Sequence, residues 1–193
     1  MGAKPKEHRT QTIKENASRN DQVRIKRNYK NCSGCRRCEI VCSLYHEGKI
    51  WPEASRIRVF MFVPGVEIPQ TCFQCEDYPC VETCPVKALS VNSQTGAVNV
   101  DILKCTECGL CVKACPGKVP CSHPEGNYII ICDLCGGKPK CVEVCQKGQW
   151  NALTLVPREK EVSYRALAKT PDELTRKVAR QVLGKEIAKE VWE

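Results

Sequence analysis

The sequence has few aromatic residues and no long apolar run. Only 6% of its 193 residues are aromatic, with three Phe and three Trp. No stretch reaches the 18 or more apolar residues that a transmembrane helix needs, so insertion of a helix into a membrane is excluded. The apolar core must also be small, and metals or disulfides usually stabilise such chains.

The first residues lack the apolar segment of a secretory signal. They read Met1-Gly-Ala-Lys-Pro-Lys-Glu and stay polar, and the only Arg pair, Arg36-Arg37, lies inside a cysteine group. A signal peptide needs an apolar stretch near its start. We therefore expect a cytoplasmic, reducing location, where cysteines are more often metal ligands than disulfide partners.

The sequence also lacks the usual marks of a substrate site. It contains no phosphate-cradling Gly-rich loop and no recognisable pair of a nucleophile and a base. This predicts a chain without catalytic activity of its own.

Positive charge is concentrated at the beginning of the chain. The formal net charge is +8, and residues 1–31 hold nine Lys/Arg against three Asp/Glu, whereas residues 32–157 hold twelve of each. One interpretation is a solvated basic arm, and the other is a nucleic-acid-binding arm. The absence of aromatic residues for base stacking before Tyr29 argues against nucleic acid.

Cysteine, in contrast, is abundant and regularly spaced. Sixteen of the 17 cysteines fall into four groups, and Cys121 is left over. Groups one and three have the spacing C-x2-C-x2-C-x3-C, and groups two and four carry longer inserts of four and five residues before their third cysteine. The groups are residues 32–42, 72–84, 105–115 and 132–145.

This spacing predicts clusters that share ligands between groups. Three cysteines on a curled loop direct their thiolates to one iron–sulfur cube, and in two-cluster ferredoxins the fourth ligates the other cluster. We expect groups two and three to exchange their last cysteines, and groups one and four to do the same. Set A is Cys32, Cys35, Cys38 and Cys145; set B is Cys42, Cys132, Cys135 and Cys141; set C is Cys72, Cys75, Cys80 and Cys115; set D is Cys84, Cys105, Cys108 and Cys111.

The expected cofactors are four [4Fe–4S] clusters. Structural zinc sites commonly use separated C-x-x-C pairs, whereas groups one and three place three cysteines on one tight loop. Groups one and four end without the proline that follows Cys84 and Cys115. The alternative is therefore three [4Fe–4S] clusters and one zinc, with the zinc at group one or group four.

The segments between the groups predict an α+β fold with short strands. Residues 88–91 and 97–100 alternate around a Gly-containing turn and predict a hairpin. Residues 55–60 and 151–156 read as strands that could pair, and residues 128–131 as a further strand. Thr170-Pro171 followed by Glu173 predicts the start of a helix over about 171–191. That helix could fold back on its own chain or dock a partner, and we favour the partner.

Cys121 and His46 lie near the cysteine groups in the sequence but are not among the sixteen predicted ligands. We interpret Cys121 as an inert thiol, with a redox sensor or spare ligand as the alternative. We interpret His46 as a packing or surface residue that could also donate a hydrogen bond near a cluster.

Residues 28–157 resemble the electron-transfer subunits of molybdenum and tungsten oxidoreductases. The four cysteine groups carry this resemblance. The strings Cys38-Glu-Ile-Val-Cys42-Ser-Leu-Tyr-His46 and Cys132-Asp-Leu-Cys135 are most similar to the small subunits of tungsten-dependent aldehyde oxidoreductases and of class II benzoyl-CoA reductase. The resemblance implies two ferredoxin-like units, each with two clusters, in an anaerobic oxidoreductase complex.

The expected organisation has three parts. Residues 1–31 form a basic arm, residues 32–157 the four-cluster domain, and residues 158–193 an extension with a helix. Within the domain, the inner unit is 72–115 and the outer unit is 32–71 with 116–157.

The resemblance implies a non-catalytic subunit that carries single electrons. Its expected partners are a large tungsten- or molybdenum-pterin catalytic subunit and a ferredoxin or another electron carrier. The alternative function is a zinc-cluster binding module with a nucleic-acid-binding arm.

Overall fold

The computed structural model describes residues 22–159 and 161–192, so residues 1–21 of the predicted arm lie outside the described residues. Within the described ranges there are eight strands and seven helices. The strands are β1 Val23–Arg27, β2 Arg58–Val63, β3 Val66–Gln70, β4 Leu89–Val91, β5 Val98–Val100, β6 Cys121–Ser122, β7 Ile129–Ile130 and β8 Leu153–Pro157. The helices are α1 Arg37–Glu47, α2 Pro79–Glu82, α3 Leu110–Ala114, α4 Lys140–Lys147, α5 Tyr164–Leu167, α6 Pro171–Val182 and α7 Lys185–Trp192.

The strands form four separate antiparallel pairs, which confirms the α+β class. The pairs are β1–β8, β2–β3, β4–β5 and β6–β7. The predicted hairpin over 88–91 and 97–100 forms as β4–β5, with Leu89 opposite Val100. A two-stranded pair is marginally stable by itself, so these pairs depend on what they pack against.

The predicted pairing of residues 55–60 with 151–156 is wrong. Strand β2 instead pairs with β3, because Pro64 and Gly65 form a tight turn that joins them, with Gly65 at φ +79°. Strand β8 pairs with β1, with Ile25 opposite Leu155. Ile25 is buried, which gives β1 the inward-facing side chain that holds it on the outer unit.

Two clusters of buried side chains contain at least two cysteines each, and we call them the outer and the inner cluster. The outer cluster joins β1, β8, α1 and α4 through Ile25, Leu153 and Val142 together with four cysteines. The inner cluster joins β4, β5 and β7 through Leu89, Val98 and two further cysteines. Cysteines are four of the eleven buried residues of the outer cluster and two of the six of the inner cluster.

A buried carboxylate ties α1 to β2. Glu39 is only 4% exposed. Its Oε1 accepts a 2.7 Å hydrogen bond from the backbone N–H of Val59, and its carboxylate pairs with Arg36 at 3.3 Å. Both interactions stabilise the negative charge of the Glu39 carboxylate, which would otherwise be costly to bury.

The C-terminal segment forms two helices that fold back on the chain. Thr170 and Glu173 cap α6 as predicted, but the single helix expected over 171–191 is wrong, because Gly184 at φ +86° separates α6 from α7. Leu174 and Val178 are each 5% exposed and cover the apolar face of the β2–β3 hairpin. The expectation that this stripe is free for a partner therefore fails for α6.

No helix in the described ranges is both long enough and apolar enough to cross a bilayer.

We expect Leu174→Ala to destabilise the protein by about 2 to 4 kcal/mol, because it opens a cavity between α6 and the β2–β3 hairpin. Val182→Ala is the matched control, since Val182 lies on the same helix and is 48% exposed; its cost should be about 0.5 kcal/mol or less. Thermal unfolding under anaerobic conditions measures both. Equal midpoints for the two variants would contradict the fold-back packing.

Candidate metal centres

Three of the four predicted ligand sets each surround a hollow in the protein. Set A lines one hollow with Val59 and Leu153, set C lines a second with Phe73 and Ile131, and set D lines a third with Leu89. Together with the part that is open to solvent, the three spaces have similar volumes of about 340, 390 and 320 Å³. Each hollow therefore brings four cysteines from two distant groups to one apolar-walled space.

Three cysteines of set B, Cys42, Cys132 and Cys141, belong to one cluster of buried side chains, which also contains Cys38 of set A. Burial is the largest cause that raises the pKa of Cys141 well above its usual value, and negative charge on Cys132, Cys42 and Cys135 raises it further. Charge on Cys42 likewise raises the pKa of both Cys132 and Cys135. Cys38 of set A also raises the pKa of Cys141, so the electrostatic coupling extends from set B to set A.

The same backbone bend occurs in all four groups. The residue before the second cysteine has a left-handed conformation in each: Gly34 at φ +68°, Gln74 at +54°, Glu107 at +55° and Leu134 at +58°. This bend curls the loop so that neighbouring cysteines point inward. Only Gly34 is a residue type that favours such a φ, so the sequence signals the bend in one group of four.

Backbone N–H groups point at five of the cysteine sulfurs. The N···Sγ distances are 3.3 to 3.5 Å. The pairs are Arg56 to Cys42, Gln74 to Cys72, Ala88 to Cys84, Val119 to Cys115 and Ile129 to Cys105. Donors aimed at sulfur stabilise thiolates and tune the potentials of iron–sulfur clusters. Sequence reasoning missed these contacts, because main-chain groups carry no side-chain signal.

The chemistry of these cysteines fits iron–sulfur clusters. All 17 cysteines are free of disulfides. Burial raises the pKa of Cys38, Cys80 and Cys132 to about 12 each. Thiolates at such positions need a bound cation to compensate their charge. Four converging thiols in an apolar hollow supply the ligand set of a [4Fe–4S] cluster.

One neighbouring cluster of side chains bears on the zinc alternative. His46 Nε2 lies 3.9 Å from Cys135 Sγ and 3.4 Å from Asp133 Oδ1, and one ligand atom from each residue lies within 4.8 Å of the others. Burial lowers the pKa of His46, which favours its neutral form. His46 thus lies against set B, as the sequence interpretation allowed.

Cys121 lies outside all four sets. It is partly buried, and Arg58 Nη2 donates to its Sγ at 3.3 Å. Burial nevertheless raises the pKa of Cys121, so the thiol form is favoured over the thiolate.

Comparison with known sequences points to the same chemistry. The sequence pattern of the 4Fe-4S dicluster domain matches residues 64–155. The polyferredoxin-like subunit of the aliphatic sulfonate oxidoreductase of Pyrococcus furiosus is 56% identical over 155 residues, which cover 80% of this chain and 90% of that protein. The thiosulfate reductase electron transfer subunit PhsB of Salmonella typhi is 32% identical over 60% of this chain and 67% of its own.

Among solved structures, a chain of the active site complex BamBC of benzoyl coenzyme A reductase aligns over 87% of this chain and 96% of its own, with 20% identity and a TM-score of 0.41. The family relationship rests on the high sequence identity to the Pyrococcus furiosus subunit and on the repeated cysteine groups. The chain belongs to the family of 4Fe-4S dicluster proteins that serve as electron-transfer subunits of oxidoreductases.

Proposed function

We propose that the chain carries single electrons through four [4Fe–4S] clusters between a ferredoxin-like carrier and a catalytic subunit with a tungsten- or molybdenum-pterin cofactor. One observation carries this proposal: around each of three hollows, the four cysteines come from two different groups in the nested combination of the ligand sets. A cluster held by four thiolates accepts and donates one electron at a time.

We propose that the sets follow one another in the order A, B, C, D, because Cys38 of set A and Cys132 of set B share the outer cluster, and Cys72 of set C packs against both the outer cluster and the inner one. Cys38 of set A contributes to the raised pKa of Cys141 in set B. Cys132 of set B does the same for Cys72 in set C, and Cys111 of set D for Cys80 in set C. We propose that electrons pass along this series of clusters, with sets A and B in the outer unit and sets C and D in the inner unit.

The two terminal sets of this series, A and D, each have one ligand at the surface. Among the 17 cysteines, only Cys35 of set A and Cys108 of set D are exposed. Of the other fourteen predicted ligands, seven are buried and seven are partly exposed. This arrangement supports entry of electrons at one end and exit at the other.

The surface beside set D is apolar and suits a permanent partner. Leu103 is 93% exposed and Ile102 is 55% exposed, and both lie within three residues of Cys105. Beside set A the exposed side chains include Arg36 and Arg37. Permanent interfaces are more apolar than transient ones, so we propose that the catalytic subunit binds at set D and the mobile carrier at set A.

The resemblance of the sequence to tungsten-enzyme subunits supports the pterin partner. The Pyrococcus furiosus relative is itself named as a subunit of an oxidoreductase. We propose that this chain alone has no activity toward organic substrates, because its residues bind electron carriers only.

Metal analysis tests the number of clusters. Anaerobically prepared protein should contain about sixteen irons and sixteen sulfides, and negligible zinc. About twelve irons with one zinc would instead support a zinc ion at set B, where His46 lies within reach of Cys135.

Ligand exchange between groups predicts which cluster each mutation damages. Cys84→Ala should disturb the cluster held by Cys105, Cys108 and Cys111, and leave set C intact, with about four irons lost. Cys121→Ala is the matched control and should lose no iron. Mössbauer and EPR spectra of both variants distinguish this from the contrary outcome, in which Cys84→Ala damages the cluster of its own group.

The position of the catalytic subunit is tested by two charge substitutions. Leu103→Asp should weaken co-purification of the untagged catalytic subunit about tenfold or more, because it places a charge in an apolar contact. Ile187→Asp on α7, at a residue that is 53% exposed, should leave co-purification unchanged. The reverse pattern would place the partner on the C-terminal helices.

A further inference from the structure

Arg27 lies at the join between the two cluster units. It is the last residue of β1. Its Nη1 donates to the carbonyl oxygen of Thr71 at 2.9 Å and reaches that of Cys72 at 3.5 Å. Its guanidinium carbon lies 3.9 Å from the centroid of the Phe73 ring. Three consecutive residues at the start of group two thus hold the side chain in one position.

Cys72 marks this join. It packs against the outer cluster of buried side chains, which contains Cys132, and also against the inner cluster, which contains Cys80. Cys72 belongs to set C and Cys132 to set B. A contact between the outer and inner clusters therefore runs through Cys72, whose backbone carbonyl Arg27 reaches.

Within residues 22–159 and 161–192, the charge on Arg27 has no carboxylate partner. Among the residues that the structure describes, its hydrogen bonds go to carbonyl oxygens, and its guanidinium has no Asp or Glu within ion-pair distance. Burial lowers the pKa of Arg27, while Tyr29, Cys72 and Cys132 raise it and Arg24 lowers it. A guanidinium stays protonated in proteins, so this cation needs negative charge nearby. The neighbouring groups that can carry negative charge are Tyr29, Cys72 and Cys132, and of these the two cysteines belong to sets C and B.

We propose that Arg27 is a fixed positive charge that favours electrons on sets B and C, and so assists transfer across the join between the two units. The inference rests on the proposed function. When one electron passes from the cluster of the donor set to the cluster of the acceptor set, the first cluster is oxidised and the second is reduced by one electron. No proton moves, because Arg27 does not titrate. A nearby cation stabilises the reduced, more negative state of both sets. Arg27 is thus a positioning residue that acts through the electrostatic potential.

The test compares three variants by EPR-monitored redox titration of the complete protein. Arg27→Gln removes the charge, Arg27→Lys retains it, and Lys26→Gln removes the charge of the adjacent residue, which is exposed. We expect Arg27→Gln to lower the potentials of two of the four clusters, with about a tenfold change in their reduced-to-oxidised ratio, which corresponds to about 59 mV for one electron. Arg27→Lys should restore most of the shift, and Lys26→Gln should leave all four potentials unchanged.

Iron content separates the electrostatic role from a purely structural one. If Arg27→Gln loses iron while Arg27→Lys retains it, the positive charge is required and the inference is supported. If both variants lose iron, or if Arg27→Gln and Lys26→Gln give the same potentials, the inference is overturned. A wild-type protein that shows fewer than four clusters would instead overturn the proposed function, before any variant is compared.

Discussion

The burial of many thiolates in a small protein is the constraint on which the rest of this structure depends. The chain has few large apolar residues, and cysteines fill part of each unit's interior. A buried thiolate is stable only beside a cation and hydrogen-bond donors. The left-handed bend before each second cysteine turns the sulfurs inward, and backbone N–H groups such as those of Gln74 and Arg56 meet them.

The sequence predicted the cysteine groups, their spacing and the β4–β5 hairpin, because these follow from local patterns. It did not predict β1, whose residues 23–27 lie in a stretch dominated by basic side chains and gain their partner from residues 153–157, far along the chain. Long-range pairing of short strands leaves little local signal. The bends at Gln74, Glu107 and Leu134 were also invisible, since those residue types disfavour a positive φ.

The C-terminal helices show that tertiary packing decides whether an apolar helix stripe packs on its own chain or is left for a partner. The apolar stripe of α6 was compatible with a partner or with the chain itself. The β2–β3 hairpin has an apolar face that includes Val66 and Ile68, and α6 covers this face. The same side chains help to enclose set C, since Phe73 and Cys75 belong to that cluster. The extension thus supports a metal centre, and the exposed apolar side chains beside set D offer a different surface for association.

The central claim is that ligands from two distant groups hold each of four clusters. Anomalous diffraction from anaerobically grown crystals, recorded at the iron and zinc edges, tests this most directly. The account predicts four compact iron sites, one within each of sets A to D, in the order A, B, C, D and without anomalous signal specific to zinc. A zinc site at set B, or clusters that each keep all four cysteines of a single group, would contradict it.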